Sequence, residues 1–377
     1  MKKIITFGCA AILSTVVLCA ACDKADNPKG SPYFYSMGSD AAYILPAQLT
    51  SERQGDCYKL YSETAKILLD MDSALSATLE NSYITAFNNA AAGTKVELNA
   101  YAYEVFSLAL DLYEKTEGYY NPAVYYNVFA YGFGGATELP KTAEELPSDE
   151  VIQKYNILAN SFGDIVLSEQ NGKFYATKPQ TEVEIEGVKY SLRVDLGGIG
   201  KGYAVDKADE LLDKYNIAYG YFNFGESSIA FKQYIGDNSG NFNLSQRNPR
   251  YVSGAANLVY VVPVKNECIS TSGDYVQYYE IDGTRYCHII DPMTGSPIQT
   301  GVMTATVIGG SAAENDAFTT AIMAMGKDKA IEFIKNSLSG RRVIFTYDRG
   351  DGYEIYTNIP AGEITVLDES FTLKEIA

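Results

Sequence analysis

The chain contains one histidine, His288, and histidine is the side chain whose unperturbed pKa suits proton transfer near neutrality. It stands in His288-Ile289-Ile290-Asp291-Pro292-Met293-Thr294-Gly295, where Asp-Pro…Thr-Gly turn chemistry closes a loop behind an apolar strand. Asp291 either orients the imidazole or shapes that loop. Upstream lies Asp195-Leu196-Gly197-Gly198-Ile199-Gly200-Lys201-Gly202-Tyr203-Ala204-Val205-Asp206. Glycines feeding a helix N-terminus let backbone N–H groups approach a phosphate, and Lys201 adds a point charge. The spacing fits neither a P-loop nor a dinucleotide fingerprint, and a tight structural turn is the alternative reading. Downstream, Asp316 and Thr320 are four apart on a helical pattern, so both oxygens share one face. They read as hard-cation ligands for Mg²⁺ or Ca²⁺, or as an N-cap aspartate with a back-bonding threonine. Between these runs, Ser270-Thr271-Ser272-Gly273-Asp274-Tyr275 reads as a turn.

The surrounding periodicity predicts the elements that must position these residues. Apolar spacing gives helices over 58–77 and 101–116, another over 204–215 starting near Tyr203, and a pair over 313–325 and 328–337 closed by Gly326 and Gly340. Residues 181–196 alternate around Glu186-Gly187 and predict a hairpin, with a strand ending at Asp195. Strands are expected at 218–224, 258–264, 276–281 and 303–308, with a late hairpin at 343–347 and 354–358. Irregular alternation with many hairpins defines an α+β fold, largely antiparallel sheets with packed helices.

Lys2 and Lys3 precede an uncharged apolar run from Ile4 to Ala21, and Cys22 follows two small residues. This predicts a lipoprotein signal over 1–21 with Cys22 as the lipidated first residue, Cys19 standing where leucine is commonest. Residues 22–32 read as a flexible tether, and 33–377 as one compact unit. The expected location is the bacterial cell envelope, lipid-anchored. The net charge of −17 becomes more negative once Lys2 and Lys3 are removed. That disfavours nucleic acid and electrostatic adhesion to anionic lipid. Cys57, Cys268 and Cys287 are scattered and read as buried free thiols rather than a metal cluster or disulfide framework.

Taken in order, these motifs resemble the ApbE family of flavin transferases. The resemblance runs from Met37-Gly38 to Gly326 and takes in Leu75 to Ser82 with Asn88, and Thr116 to Val124. It implies the ApbE-like fold and transfer of FMN from FAD to a threonine of an acceptor protein, releasing AMP, with Mg²⁺. It implies His288 as the catalytic residue. Met37, Thr78, Tyr119, Tyr120, Asn121, Asp195, Lys201 and Ile290 would line the flavin nucleotide pocket, and the Gly198 carbonyl, Asp316 and Thr320 would hold the metal. The partners implied are FAD, the acceptor protein and, through Cys22, a membrane. The chain departs from the family pattern at Asn223-Phe224-Gly225-Glu226-Ser227, where Asn-x-Gly-Gly-Asp is usual. It departs also at Asn121 for aspartate, Thr78 for an aromatic and Met293 for arginine. Two other activities share these residues: a Mg²⁺-dependent FAD pyrophosphatase, and FAD binding without turnover.

Overall fold

The computed structural model describes residues 33–135, 138–252 and 257–376. The signal, the tether and Cys22 lie outside the described residues. A nine-stranded sheet forms the frame, and its strands follow one another across the sheet in chain order. It runs from Tyr33–Ser36 and Ser39–Ile44 through Tyr221–Phe224, Ser228–Phe231, Glu267–Gly273, Val302–Ile308 and Arg342–Asp348 to Tyr353–Thr357 and Phe371–Glu375. Every neighbouring pair is antiparallel except the last, Tyr353–Thr357 with Phe371–Glu375. The frame matches the predicted α+β class.

Side-chain alternation sends successive residues to opposite faces, and both faces are buried. Phe222, Phe224, Ala230, Ala305, Val307, Val343 and Phe345 join the helices in one core. Ile229, Phe231, Ile308 and Ile344 point the other way, into a second core with Leu244, Val259 and Val262. The second core is closed by a three-stranded sheet of Phe242–Arg247, Leu258–Val264 and Thr365–Val366. This explains why all seven residues of Val302–Ile308 are buried.

Two helices on the first face carry the candidate chemistry, Gly197–Lys214 and Ala312–Ser337. Their approach depends on one missing side chain. A Cβ on Gly202 would lie 2.4 Å from the Ala312 carbonyl oxygen, so only glycine lets the backbones meet. Asp206, one turn further on, accepts from the Ala312 and Ala313 N–H groups (2.6 and 3.1 Å) and from Ser311 Oγ (2.6 Å). One helix thereby caps the other.

Three sequence expectations are corrected. The helix expected from Tyr203 begins at Gly197, because Asp195 Oδ1 takes the Gly197 N–H (2.8 Å) and the glycines sit inside the first turns. The strand expected to end at Asp195 stops at Ser191. Ser270 to Gly273 is a strand within Glu267–Gly273, not a turn. Its hydroxyls are satisfied by neighbouring elements: Ser270 by the Ala312 carbonyl (3.1 Å), Thr271 by Thr306 (3.0 Å) and Ser272 by Thr319 (2.8 Å). The two helices expected around Gly326 are present, and the backbone leaves the helical conformation between them at that glycine, at φ 70° and ψ 174°. Cys57, Cys268 and Cys287 are free and buried, as expected. Among the described residues no helix is long and apolar enough to cross a membrane.

Candidate functional site

A cavity of about 330 Å³ opens where the two helices meet the central strands Glu267–Gly273 and Val302–Ile308, with Gly198, Lys201, His288, Asp316 and Thr320 in its lining. Five of the twelve residues named from sequence thus converge on one space.

Asp316 is the buried anchor. Its Oδ2 accepts the Gly202 N–H and its Oδ1 the Ser228 hydroxyl, both at 2.7 Å. Burial raises its pKa, against a smaller opposing pull from Lys201 and these hydrogen bonds. Thr320 Oγ1 donates to the Asp316 carbonyl oxygen (3.0 Å), which leaves its lone pairs available. The threonine therefore does back-bond, while the helix is capped by Ser311 rather than by Asp316. Tyr120 packs behind Gly198, its ring 3.5 Å from where a Cβ on that glycine would sit. Its buried hydroxyl makes no hydrogen bond among the described residues.

Gly198, Asp316 and Thr320 share the cavity lining, and the donors they can offer a cation are hard oxygens. No group of three or more His, Cys, Asp or Glu capable of holding a metal exists among the described residues. A softer ion held by protein ligands alone is therefore a poor match. Mg²⁺, which keeps waters and takes substrate phosphate oxygens beside one carboxylate, suits this set, and the orphaned Tyr120 hydroxyl fits a nearby ligand or water.

His288 stands across the cavity. Its Nδ1 lies 3.4 Å from the Gln277 carbonyl oxygen. A carbonyl only accepts, so in that contact Nδ1 carries the proton and Nε2 is the basic nitrogen. Burial, helped by the Lys201 cation, pushes its pKa down to about 4 against the smaller opposing pull of the Gln277 carbonyl. The imidazole is neutral at physiological pH. Phe133 meets the ring edge-on at 6.5 Å. Asp291 does not orient His288; it accepts from the Met293 N–H (2.9 Å) and Thr294 Oγ1 (3.2 Å) and so shapes the loop.

Seven named residues fall outside the cavity lining. Met37 Sδ lies 3.3 Å from where a Cβ on Gly200 would sit, and Asp195 holds the Gly197 N–H, so both border the glycine run. Tyr120 is the wall just described. Asn121 is buried in structural bonds to the Ala159 carbonyl (3.0 Å) and Ala123 N–H (2.9 Å). Tyr119 carries Lys329 Nζ 5.2 Å over its ring, Thr78 is exposed beside Ser76 (3.2 Å), and Ile290 packs with Tyr131, Phe133 and Ile152. The cavity instead recruits Glu226, Ser227, Ser245, Arg247, Tyr275 and Gln277. Ser227 and Ser245 each bury a hydroxyl oxygen with no hydrogen-bond partner among the described residues. Glu226 occupies left-handed backbone at φ 59°, one residue after Gly225 at φ 61°.

A neutral imidazole, a lysine and a hard-oxygen cluster around one cavity are equipment for moving a phosphorus-bound group. The ApbE family model matches residues 37–345, and the chain belongs to the ApbE family. It is 27% identical over 354 residues to the FAD:protein FMN transferase of Klebsiella pneumoniae (strain 342), covering 93% of this chain and 95% of that protein. The ApbE protein of Thermotoga maritima superposes with a TM-score of 0.65 at 25% identity, covering 84% of this chain and 93% of the other. The flavin transferase ApbE of Vibrio cholerae shares the fold at a TM-score of 0.67 and 24% identity, covering 87% and 96%.

Proposed function

We propose that this chain is a FAD:protein FMN transferase, acting on a threonine hydroxyl of an acceptor protein and releasing AMP. The observation carrying this reading is that His288, neutral and half-buried, shares a cavity with Lys201, Gly198, Asp316 and Thr320 in a member of this family. His288 Nε2 takes the proton from the acceptor hydroxyl. The oxygen attacks the FMN phosphorus, the P–O bond to AMP breaks, and AMP carries away the electron pair. Lys201, in the cavity lining, would stabilise the charge of the diphosphate. Mg²⁺, held by the Gly198 carbonyl, Asp316 and Thr320, would neutralise phosphate oxygens as charge builds on the leaving group. Of the other residues the resemblance assigns to the flavin nucleotide, Met37, Tyr120 and Asp195 border the glycine run and complete its surroundings, while Thr78, Tyr119, Asn121 and Ile290 stand away from the cavity.

The test is AMP release from FAD, and flavin mass on an acceptor protein, with and without Mg²⁺. The expected result is metal-dependent AMP matched mole for mole by flavinylated acceptor. His288→Ala should lower both by roughly 10²–10⁴-fold while FAD still binds. AMP with free FMN and no mass on the acceptor would instead make it a pyrophosphatase. Bound FAD that never yields AMP would make it a flavin carrier.

We place this activity in the bacterial cell envelope, anchored through lipid on Cys22. The support is the apolar run Ile4 to Ala21 with Ala20-Ala21-Cys22 after it. Cys22→Ser should move the protein from the membrane pellet to the soluble fraction; equal sedimentation of both forms would remove the anchor.

A further inference from the structure

A second cavity, of about 430 Å³, lies back to back with the first. Asp274 and Cys287 line it, while their chain neighbours Gly273, Tyr275 and His288 line the first. Its lining is rich in arginine. The chain has net charge −17 and eight arginines (53, 193, 247, 250, 285, 341, 342 and 349). Three of the eight, Arg250, Arg285 and Arg349, face this one space beside Asp274 and Asp348, while Glu280, Asp351 and Glu354 pair with two of them from outside its lining.

The internal pairing leaves a donor over. Arg250 takes both oxygens of Asp274 in a fork (2.8 and 2.6 Å). Asp348 accepts the Gly350 N–H at 2.8 Å. Arg285 spends Nε and Nη2 on Glu280 Oε1 (3.2 and 3.0 Å), and its guanidinium is stacked 4.1 Å over the Tyr278 ring. Its Nη1 is buried with no hydrogen-bond partner among the described residues, and Asp274 Oδ1 stands 3.8 Å away. A buried guanidinium donor without an acceptor is costly unless something supplies one. Arg349 stands at the rim, half exposed and paired with Asp351 (2.6 Å) and more loosely with Glu354 (3.6 Å), so an incoming anion must exchange with these solvent-screened pairs.

We propose that this cavity is an oxyanion-binding site, with Arg285 Nη1 as its anchor and Arg349 as its rim contact. The ligand class is a carboxylate or phosphate, since a planar fork matches both geometries. The oxyanion comes either as a free small anion or as an acidic side chain of the acceptor, which must itself approach His288. The second source rests on the transferase reading; the site itself does not.

Calorimetric titration of the full chain with inorganic phosphate, and separately with succinate, tests it. One site that depends on these two arginines and not on Lys201 is expected. Arg285→Met should weaken it at least tenfold and Arg349→Met several-fold, while Lys201→Met, in the other cavity, leaves it unchanged. Because Arg349 is exposed, its variant keeps the test valid even if Arg285→Met unfolds the hairpin of Tyr278–Ile281 and Thr284–Cys287. Absence of binding, binding indifferent to both arginines, or binding lost only in Lys201→Met would overturn the proposal. The two sources separate kinetically. Phosphate inhibition of flavinylation that is competitive with acceptor, and abolished in Arg349→Met, points to the acceptor's side chain. Phosphate binding without such competition points to a free anion. If no flavinylation occurs at all, the transferase reading fails and the titration still stands.

Discussion

His288 works as a base because of where it is, not only because it is a histidine. Its pKa near 4 makes the free base the dominant form at any pH above that value. The pH profile of single-turnover AMP release should therefore stay flat from pH 8 down to pH 6, with its acid limb near 4. A limb centred on 6.5 would mean that the ring is solvated and uncoupled from Lys201. Stability has the same sign. The unfolded chain binds a proton at His288 below about 6.5 and the folded one does so only near 4, so this residue favours unfolding progressively as pH falls through that window. At this scale much was legible in sequence: His288, Lys201, Gly198, Asp316 and Thr320 come from motifs whose spacing is local. Ser245 and Arg247 were not. They lie on Phe242–Arg247, a strand brought to the cavity by sheet contacts that leave no mark in adjacent residues.

The site depends on two helices meeting backbone to backbone, and Gly202 is the point of contact. Gly202→Ala places a methyl 2.4 Å from the Ala312 oxygen, which neither backbone can concede cheaply. The expected cost is about 1–3 kcal/mol of overpacking. It should be accompanied by a larger loss of activity, because the same glycine's N–H holds Asp316 Oδ2. Chemical denaturation and kinetics on the same variant check this; unchanged midpoint and rate would show that the helices move apart freely. Helix existence here was readable from apolar spacing, but the helix start was not. Glycine runs signal turns by propensity, and this one is helical because Asp195 takes the first N–H and tertiary packing rewards the missing side chains. The Ser270–Gly273 misreading has a similar origin. Small hydroxyl residues favour turns until neighbouring elements offer their oxygens partners, as Ala312, Thr306 and Thr319 do.

Across the whole molecule, the α+β class followed from irregular alternation of predicted elements, whereas the burial of both sheet faces did not. Strands such as Val302–Ile308 carry no polar alternation to reveal which face meets helices and which meets the smaller sheet. Burial in the first of the two cores has a consequence for the three thiols, all of which lie in it. Burial raises the pKa of Cys57, Cys268 and Cys287, the last to about 11, so none offers much thiolate while the fold is intact. Unfolding exposes all three together with nothing to pair them correctly. In an oxidising medium each excursion then risks a non-native bridge, and the protein's lifetime is set by how rarely it opens rather than by its equilibrium stability. Alkylation by iodoacetamide should proceed no faster than global unfolding, and heat unfolding should be reversible only with a reductant present. Rapid labelling of any one thiol in the native protein would show that its part of the core opens on its own. An enzyme built this way persists through slow kinetics, and its working life can be lengthened by replacing sulfur with a methyl group at positions that perform no chemistry.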